Sequence, residues 1–501
     1  MAQGKIIAQE ISKKMVTWNR IEKRDIISTM PNEIVANVLS RLTLKEAART
    51  SVLSTTWRYQ WTYFSGDLDF DNSLRTLLLR HENVGLLTKC KVFVREWEMF
   101  MSLLQHVMKS LKCHSMHGLR ICMDLGNPWK VTEWVKFAAE KNVETLDLDF
   151  SYNFMEPFFE ISENIRNVLS KSFEMRALRV LRLASVDVSA GIIESFLASC
   201  PVLETLSVRG SKSVVSLKVQ GQGLRLKHLE LVECHILHLH ICAENLMTFT
   251  YTGDYGNFNF ETVPNLVEVS FGGKCCNYLL SNMQDAELYA VLSQVHVLKL
   301  ELFILYGGIL EDLPVLSNVK NLELRVRHRC GGELGRTVSL LSAFPSITVL
   351  KIKFVRTTIW ELDEGWKANL KHEYPNLREL EVSGYRRDTC QIELLISIFK
   401  KAPNLNRIVV DPLASMHVQR SPDVKASIRE TQRDMTIWYV DALKPHVSPS
   451  TQFIVTNGME EASLEVYDAM LVQNFLQTVF LLLLSCILHE LRVVLFGLSN
   501  S

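Results

Sequence analysis

The densest run of metal-type side chains in this 501-residue chain is Cys234-His235-Ile236-Leu237-His238-Leu239-His240-Ile241-Cys242. Thiolate and imidazole are the usual donors to zinc, and Cys234, His238, His240 and Cys242 share parity. On one continuous strand all four would point the same way. Same-face neighbours on a strand stand roughly 7 Å apart, too far for adjacent ones to share a tetrahedral ion without a bend. The spacing therefore predicts packing, and no metal ligand is assigned. The other cysteines (Cys90, Cys113, Cys122, Cys200, Cys275, Cys276, Cys330, Cys390 and Cys486) are scattered and form no C-x-x-C pair. A thiol nucleophile needs a nearby histidine and an activating environment, which such scatter does not establish. There is no Gly-rich phosphate loop ending in Lys-Ser/Thr and no G-x-S-x-G elbow. We expect no catalytic residue, no cofactor and no bond chemistry.

The elements that would position any binding residues must come from the apolar pattern. An L-x-x-L-x-L-type core, with other apolar residues substituting, recurs at Val143/Leu146/Leu148, Leu178/Leu181/Leu183, Leu203/Leu206/Val208, Leu226/Leu229/Leu231, Leu246/Phe249/Tyr251 and Leu266/Val269/Phe271. It continues at Val295/Leu298/Leu300, Val319/Leu322/Leu324, Ile347/Leu350/Ile352, Leu377/Leu380/Val382 and Leu405/Ile408/Val410. The starts are about 26 residues apart on average, within the leucine-rich-repeat range. Each copy reads as one short strand with a returning helix or irregular segment, and stacked copies bury the edge that one copy cannot. Gly191 to Leu197 is one such helical return. Asn or Cys is expected eight residues after the first Leu; Cys234 fits, whereas Ser151, Val186 and Lys274 occupy that place elsewhere, so an irregular solenoid is predicted.

Composition agrees with a folded, non-nucleic-acid-binding protein. Lys plus Arg and Asp plus Glu are each 55, and the chain is 47% hydrophobic. A polyanion binder would carry a basic surplus. The odd cysteine set and the lack of N-x-S/T sequons suit a reducing compartment, cytoplasm and/or nucleus. Residues 1–24 carry Lys5, Lys13, Lys14, Lys23 and Arg24 without the apolar core of a signal peptide. Near the other end, Val479 to Leu484 lies in an apolar run shorter than the roughly 20 residues a membrane span needs. A helix packed on the end of the array is expected there, with a membrane anchor as the less favoured alternative.

Residues 25–65 read as three short helices. Pro31 suits a first turn, and Ile34, Val35, Val38, Leu39 and Leu42 form a stripe. Thr43-Leu44-Lys45-Glu46 is a capping box. Trp57, Trp61 and Phe64 make a third stripe. Some forty residues without disulfide or metal are near the limit for folding alone, so these stripes expect a partner surface, in this chain or another.

The run Asp25-Ile26-Ile27-Ser28, Met30-Pro31, Glu33, Val38-Leu39-Ser40, Leu42, Lys45 to Ser54, Trp57-Arg58 and Trp61 resembles a plant-type F-box. It departs at Met30, at Thr43, and at Thr55-Thr56, where a basic residue usually precedes the Trp. Ser199 to Leu206 is similar to a phrase of plant F-box proteins with leucine-rich repeats. Tyr374-Pro375-Asn376-Leu377 through Asp411-Pro412, with Leu380 to Tyr385, Glu393-Leu394-Leu395 and Ala402-Pro403-Asn404-Leu405, resembles their FBD region. The expected plan is α/β: an N-terminal arm (1–24), a three-helix F-box (25–65), connecting or capping repeats (66–142), an irregular leucine-rich-repeat solenoid (143–373), FBD-like terminal repeats (374–456) and a hydrophobic tail (457–501).

The resemblance implies docking of the head onto a Skp-type adaptor and, through it, a cullin. The candidate contacts are Met30, Pro31, Ile34, Val38, Leu39, Leu42 and Trp57. The array would bind an unknown substrate protein. Alternation along each strand sends Asp147, Asp149, Arg182, Ser207, Arg209, His228, Glu230, Thr248, Thr250, Thr252, Glu268, Ser270, Lys299, Glu301, Glu323, Arg325, Lys351, Lys353, Glu379, Glu381, Arg407 and Asp411 to the concave face. Arg182, Arg209, Glu230, Lys299, Glu323, Arg325, Lys351 and Lys353 are the candidate substrate contacts. A mosaic of sign suits a protein ligand and not a nucleic acid. Lys351 and Lys353, beside Arg356, form the one basic spot suited to an anionic group.

Overall fold

The computed structural model describes residues 30–72, 86–123, 128–150, 159–160, 175–282, 285–303, 313–327, 331–355, 366–370, 372–385, 389–411 and 441–455. The N-terminal arm, Asp25 to Thr29, Ser151, Arg356 and the 457–501 tail lie outside them.

The head begins with α1 (Asn32–Ser40), entered directly after Pro31. Its Val35 and Leu39 turn inward and are buried, while Ile34 and Val38 stay exposed. The capping box forms as the sequence requires. Thr43 Oγ1 accepts from the Glu46 N–H at 3.3 Å, and Glu46 Oε2 accepts from the Thr43 N–H at 2.9 Å. These bonds open α2 (Leu44–Arg49), whose Ala47 is buried. They also hold the Glu46 carboxyl below its usual pKa. The third short helix, Trp57–Tyr63, is of the 3-10 type. Its tighter turn suits the i to i+3 links around it: the Thr62 hydroxyl donates to the Tyr59 carbonyl, and the Phe64 N–H to the Trp61 carbonyl.

That third element joins the head to the repeats. The Lys112 N–H donates to the Thr62 carbonyl at 2.7 Å and the His117 N–H to the Ser65 carbonyl at 3.0 Å. Trp61 and His106 rings meet at 6.5 Å. Head and array share one apolar core.

The array is a sheet of fourteen strands among the described residues, all neighbours parallel. In order across the sheet they are β1 (Asp67–Asn72), β2 (Met116–Met123), β3 (Val143–Asp149), β5 (Val180–Ala184), β7 (Thr205–Arg209), β9 (His228–Cys234) and β11 (Thr248–Gly253). Then come β13 (Glu268–Gly272), β14 (Val297–Phe303), β15 (Asn321–Arg327), β16 (Val349–Val355), β17 (Glu379–Ser383), β18 (Arg407–Asp411) and β19 (Gln452–Val455). A two-strand pair, β4 (Phe159–Glu160) with β6 (Val186–Asp187), lies apart from it. Two rungs precede the first one read from the Leu pattern. In them Leu68 and Phe70 of β1, and Leu119 and Ile121 of β2, fill the core places.

Repeat length decides how the chain returns. Longer copies return through helices: α3 (Leu86–Ser110), α4 (Pro128–Glu140), α5 (Ala190–Ser199), α6 (Lys274–Ser281), α7 (Ala286–Gln294), α8 (Gly331–Leu341) and α9 (Thr389–Lys401). The three copies starting at Leu203, Leu226 and Leu246 are shorter, and period-two alternation replaces the helix. They return through β8 (Ser216–Gln220), β10 (His238–Cys242) and β12 (Asn257–Thr262), which form a second parallel sheet. Its inward residues Leu217, Leu239, Val219 and Ile241 are buried against the main sheet. Phe249 meets Phe260 at 5.5 Å, and Tyr251 meets Phe258 at 4.9 Å.

Two devices tie rung to rung. The carbonyl just before a strand accepts two N–H groups from the next rung, as Met247 does from Val267 and Glu268, and His296 does from Lys320 and Asn321. An asparagine ladder reinforces this at the residue before the first Leu, not eight after it. Asn245, Asn265 and Asn318 donate to the carbonyls of Leu224, Glu244 and Ser293, each at 2.8 Å, and Asn404 donates to that of Pro375 at 2.9 Å. The eighth position has its own occupants. The Cys234 thiol contacts the Val208 carbonyl at 3.5 Å. Buried Ser211, eight after Leu203, accepts from the Val188 N–H and contacts Asp187. Past the strand ends the backbone turns left-handed at Ser185, Gly210 and Gly273, and within β9 it does so at Glu233. At Gly273 a Cβ would come within 2.7 Å of the Gly253 carbonyl oxygen, so only glycine fits.

Candidate functional site

Two surfaces qualify. On the head, the seven candidate contacts divide. Leu39 is fully buried and Trp57 is 4% exposed, so both serve the head's own packing. This corrects their assignment to an outer surface: three short helices have few side chains with which to close a core. Met30 and Leu42 are half-buried against that core. Pro31 is exposed, as are Ile34 at 50% and Val38 at 45%, one turn apart on α1. Val52 and Leu53, at 85% and 60%, add two exposed aliphatic side chains. Single exposed apolar residues are ordinary; four in so short a head are an unpartnered surface.

On the array, the residues facing away from the core line up in register. One column runs Asp69, Arg120, Asp147, Arg182, Ser207, Glu230, Thr250, Ser270, Lys299, Glu323, Lys351, Glu381. Its ends alternate in charge and its middle is mostly hydroxyl. Arg120 bonds Asp69 at 2.7 Å, and Lys351 bonds Glu381 at 2.6 Å. Burial opposes the charge of Arg120, but the bond from Asp69 and the nearby acids outweigh it and raise its pKa. Burial lifts the Asp147 carboxyl above its ordinary value against the pull of Arg182 and Arg120. The bond to Glu381 raises the Lys351 ammonium pKa.

The other candidates lie within this lattice. Arg182 is exposed between Asp147 and Ser207. Arg209 pairs with Glu230, Lys299 with Glu268 at 2.7 Å, and Arg325 with Glu301 at 3.7 Å. Glu323 stands in register between Lys299 and Lys351, and Lys353 between Arg325 and Ser383. At the basic spot expected at Lys351 and Lys353, the first lysine pairs with Glu381. Cross-strand partners lie 21 to 51 residues apart in sequence, so pairing follows from register and not from local order.

The Cys/His run does not share one strand. Cys234 ends β9 in the main sheet, and His238, His240 and Cys242 belong to β10 in the second. His240 faces Glu261 at 3.1 Å. Among the described residues no cluster of three or more His, Cys, Asp or Glu side chains is placed to hold a metal. Burial pushes the thiols of Cys234 up to about 11 and of Cys200 and Cys275 to about 12. At pH 7 fewer than about one in a thousand of these groups is thiolate. Among the described residues, no helix is long and apolar enough to cross a membrane.

What sequence reading missed is an open trough at the C-terminal ends of the middle strands. It encloses about 1060 Å³, with Arg209, Glu230, Thr250, Asp254, Lys274 and Arg325 among its lining. Asp254 and Lys274 pair at 2.9 Å. Asp254 comes from a turn and Lys274 opens α6, so both lie outside the strand alternation.

Comparison with known proteins matches both halves. The family model for the LRR domain of At1g61320/AtMIF1 covers residues 103–437, and the F-box domain model covers 27–66. The chain is similar to three proteins of Arabidopsis thaliana. The F-box/FBD/LRR-repeat protein At1g13570 is 23% identical over 86% of this chain and 99% of its own length. The putative F-box protein At3g58860 is 24% identical over 72% and 75%. The F-box/LRR-repeat protein At3g60040 is 23% identical over 83% and 95%. With a three-helix head on a parallel-strand solenoid and both domain models matched in that order, the chain belongs to the plant F-box/leucine-rich-repeat protein family.

Proposed function

We propose that the protein is the substrate-recognition adaptor of an SCF-type ubiquitin ligase. The head binds a Skp-type adaptor and through it a cullin; the array binds the target protein. The observation that carries the reading is the exposed aliphatic set Ile34, Val38, Val52 and Leu53 on a head whose core is otherwise closed. Such a surface gains most when a partner removes it from water. Met30, Pro31, Ile34, Val38 and Leu42 are the contacts proposed toward the adaptor. Arg182, Arg209, Glu230, Lys299, Glu323, Arg325, Lys351 and Lys353 are proposed toward the target.

The mechanism is proximity. Holding a target lysine near a charged conjugating enzyme raises effective concentration, so the chain supplies orientation and no chemistry. We place its work in the cytoplasm and/or nucleus.

The test is co-purification of the full chain with a purified Skp-type adaptor and a cullin. A ternary complex is expected. Adaptor binding without cullin would favour a repeat protein that engages partners but assembles no ligase. Thr55 and Thr56, exposed where relatives of the motif carry a basic residue, are the feature that would explain it. Failure to bind the adaptor at all would overturn the proposal.

A further inference from the structure

The concave face is not uniform. At both ends of its central column long charged side chains alternate and pair across strands. In the middle the column shrinks to Ser207, Thr250 and Ser270 around Glu230, with Thr252 and Gly272 in the neighbouring column. Short side chains lower the floor at Thr250 and Thr252, which with Gly253 and Gly273 beyond them line the trough of about 1060 Å³. We propose that this trough is the seat of an extended segment of a protein chain carrying both acidic and basic side chains. The inference rests on the reading of the array as a target-binding face, and not on ligase assembly.

Length argues for a chain. The lining runs from Arg209 on β7 to Arg325 on β15, five steps across the sheet. At about 4.8 Å per step the trough is roughly 24 Å long, the reach of about seven extended residues. A compact small molecule would fill only part of it. Charge argues for protein and against nucleic acid. The walls carry three opposed pairs, Arg209 with Glu230, Lys274 with Asp254 and Arg325 with Glu301. A polyanion would meet as many acids as bases. The first two pairs are largely exposed and individually weak, so a ligand's own charges can take either partner at small cost. The half-buried Arg325 and Glu301 hold the far wall, and the alternation fixes register. Beside Asp254, and on the helix that Lys274 opens, Tyr255 and Tyr278 stack at 5.3 Å and are 62% and 46% exposed. Exposed tyrosines next to a charged groove are the side chains that most often anchor protein interfaces.

The test is selection of a random 12-residue peptide library displayed on phage against the immobilised full chain. Three variants run beside it. Thr250→Trp fills the floor, Arg209→Glu with Glu230→Arg inverts one wall pair, and Arg407→Ala alters the face on β18, outside the trough. Circular dichroism and melting temperature confirm that each is folded. The wild type is expected to enrich peptides with acidic and basic residues within about seven positions. Their binding should fall at least tenfold in Thr250→Trp and in the inverted pair, and persist in Arg407→Ala. If Thr250→Trp is misfolded, the inverted pair alone decides. Binding unaffected by the trough variants but lost in Arg407→Ala would overturn the placement and leave the array as a binding face. Enriched peptides of one charge sign, no enrichment at all, or binding of a single-stranded oligonucleotide in place of peptides would overturn the proposal itself. Adaptor co-purification is scored separately, so loss of the ligase reading and loss of this one cannot be confused.

Discussion

Replacing Ile34 and Val38 together by alanine should separate docking from folding. Both lie on α1 one turn apart, 50% and 45% exposed, so the isolated chain has already withdrawn about half of each from water. Full burial of such a side chain is worth about 1.5–3 kcal/mol, so covering the remaining half contributes about 1 kcal/mol each. The pair should weaken adaptor affinity by about 2 kcal/mol, near 30-fold in Kd. Alanine is the best helix former, so α1 itself should not suffer. Leu39→Ala is the counter-experiment. Leu39 is fully buried, and truncation there should cost about 2–5 kcal/mol of stability. The assay is calorimetric titration of the full chain with a purified Skp-type adaptor, alongside thermal melts. The double variant should bind weakly and melt normally, and Leu39→Ala should melt early. Unchanged affinity in the double variant would refute the assignment of that face.

Further consequences follow from individual contacts. Thr43→Ala breaks the capping box and should cost about 1 kcal/mol, read as an earlier melt of the head by hydrogen exchange over residues 32–49. Asn265→Ala removes one rung of the asparagine ladder, bonded at 2.8 Å, and should lower stability by about 0.5–1.5 kcal/mol in urea unfolding. Asp147 titrates higher when folded because of burial, so its contribution is complete below the unfolded aspartate pKa and lost as pH rises through the folded one. Asp147→Asn should therefore melt no lower than wild type at neutral pH, and any gain should shrink as the solution is acidified. Among Cys200, Cys234, Cys242, Cys275 and Cys276, only Cys242 is not fully buried. Mass-mapped alkylation of the native protein should label it first, and earlier modification of Cys234 would contradict the packing described.

Much of the fold was legible because the core is periodic. Leu181 and Leu183, Leu206 and Val208, and Leu322 and Leu324 repeat at spacings that only stacked strands can bury together. Copy length also carried information that was harder to use. The copies starting at Leu203, Leu226 and Leu246 are too short for a helical return, and Ser216-Leu217-Lys218-Val219-Gln220 alternates as an outer strand should. The rung at Leu68/Phe70 escaped because Ser65 stands where the third apolar residue would be, and Met116/Leu119/Ile121, which has all three, stood alone in a stretch whose preceding copy could not be phased. The asparagine ladder was sought at the wrong place. Its residues sit in the turn before the first Leu, where an amide can reach the preceding turn's carbonyl, and Pro375-Asn376-Leu377 and Pro403-Asn404-Leu405 display that turn openly.

Binding residues are harder to read than core residues for a physical reason. Alternation tells which face a side chain takes, and the mosaic from Asp147 to Asp411 follows from it. Whether a charge on that face is available depends on what stands beside it on the next strand, some 21 to 51 residues away. Lys351 looks like an anion site along the chain and is an ion pair across it, since Glu381 enters in register. The inverse holds for Thr250 and Thr252, which announce nothing in sequence. They matter to the proposed trough because they are short where Lys299, Arg325 and Lys351 are long. On a face built from aligned columns, a recognition site arises where side-chain length drops between two self-paired stretches of charge, and it is found by comparing neighbours across the sheet, not by searching for a motif.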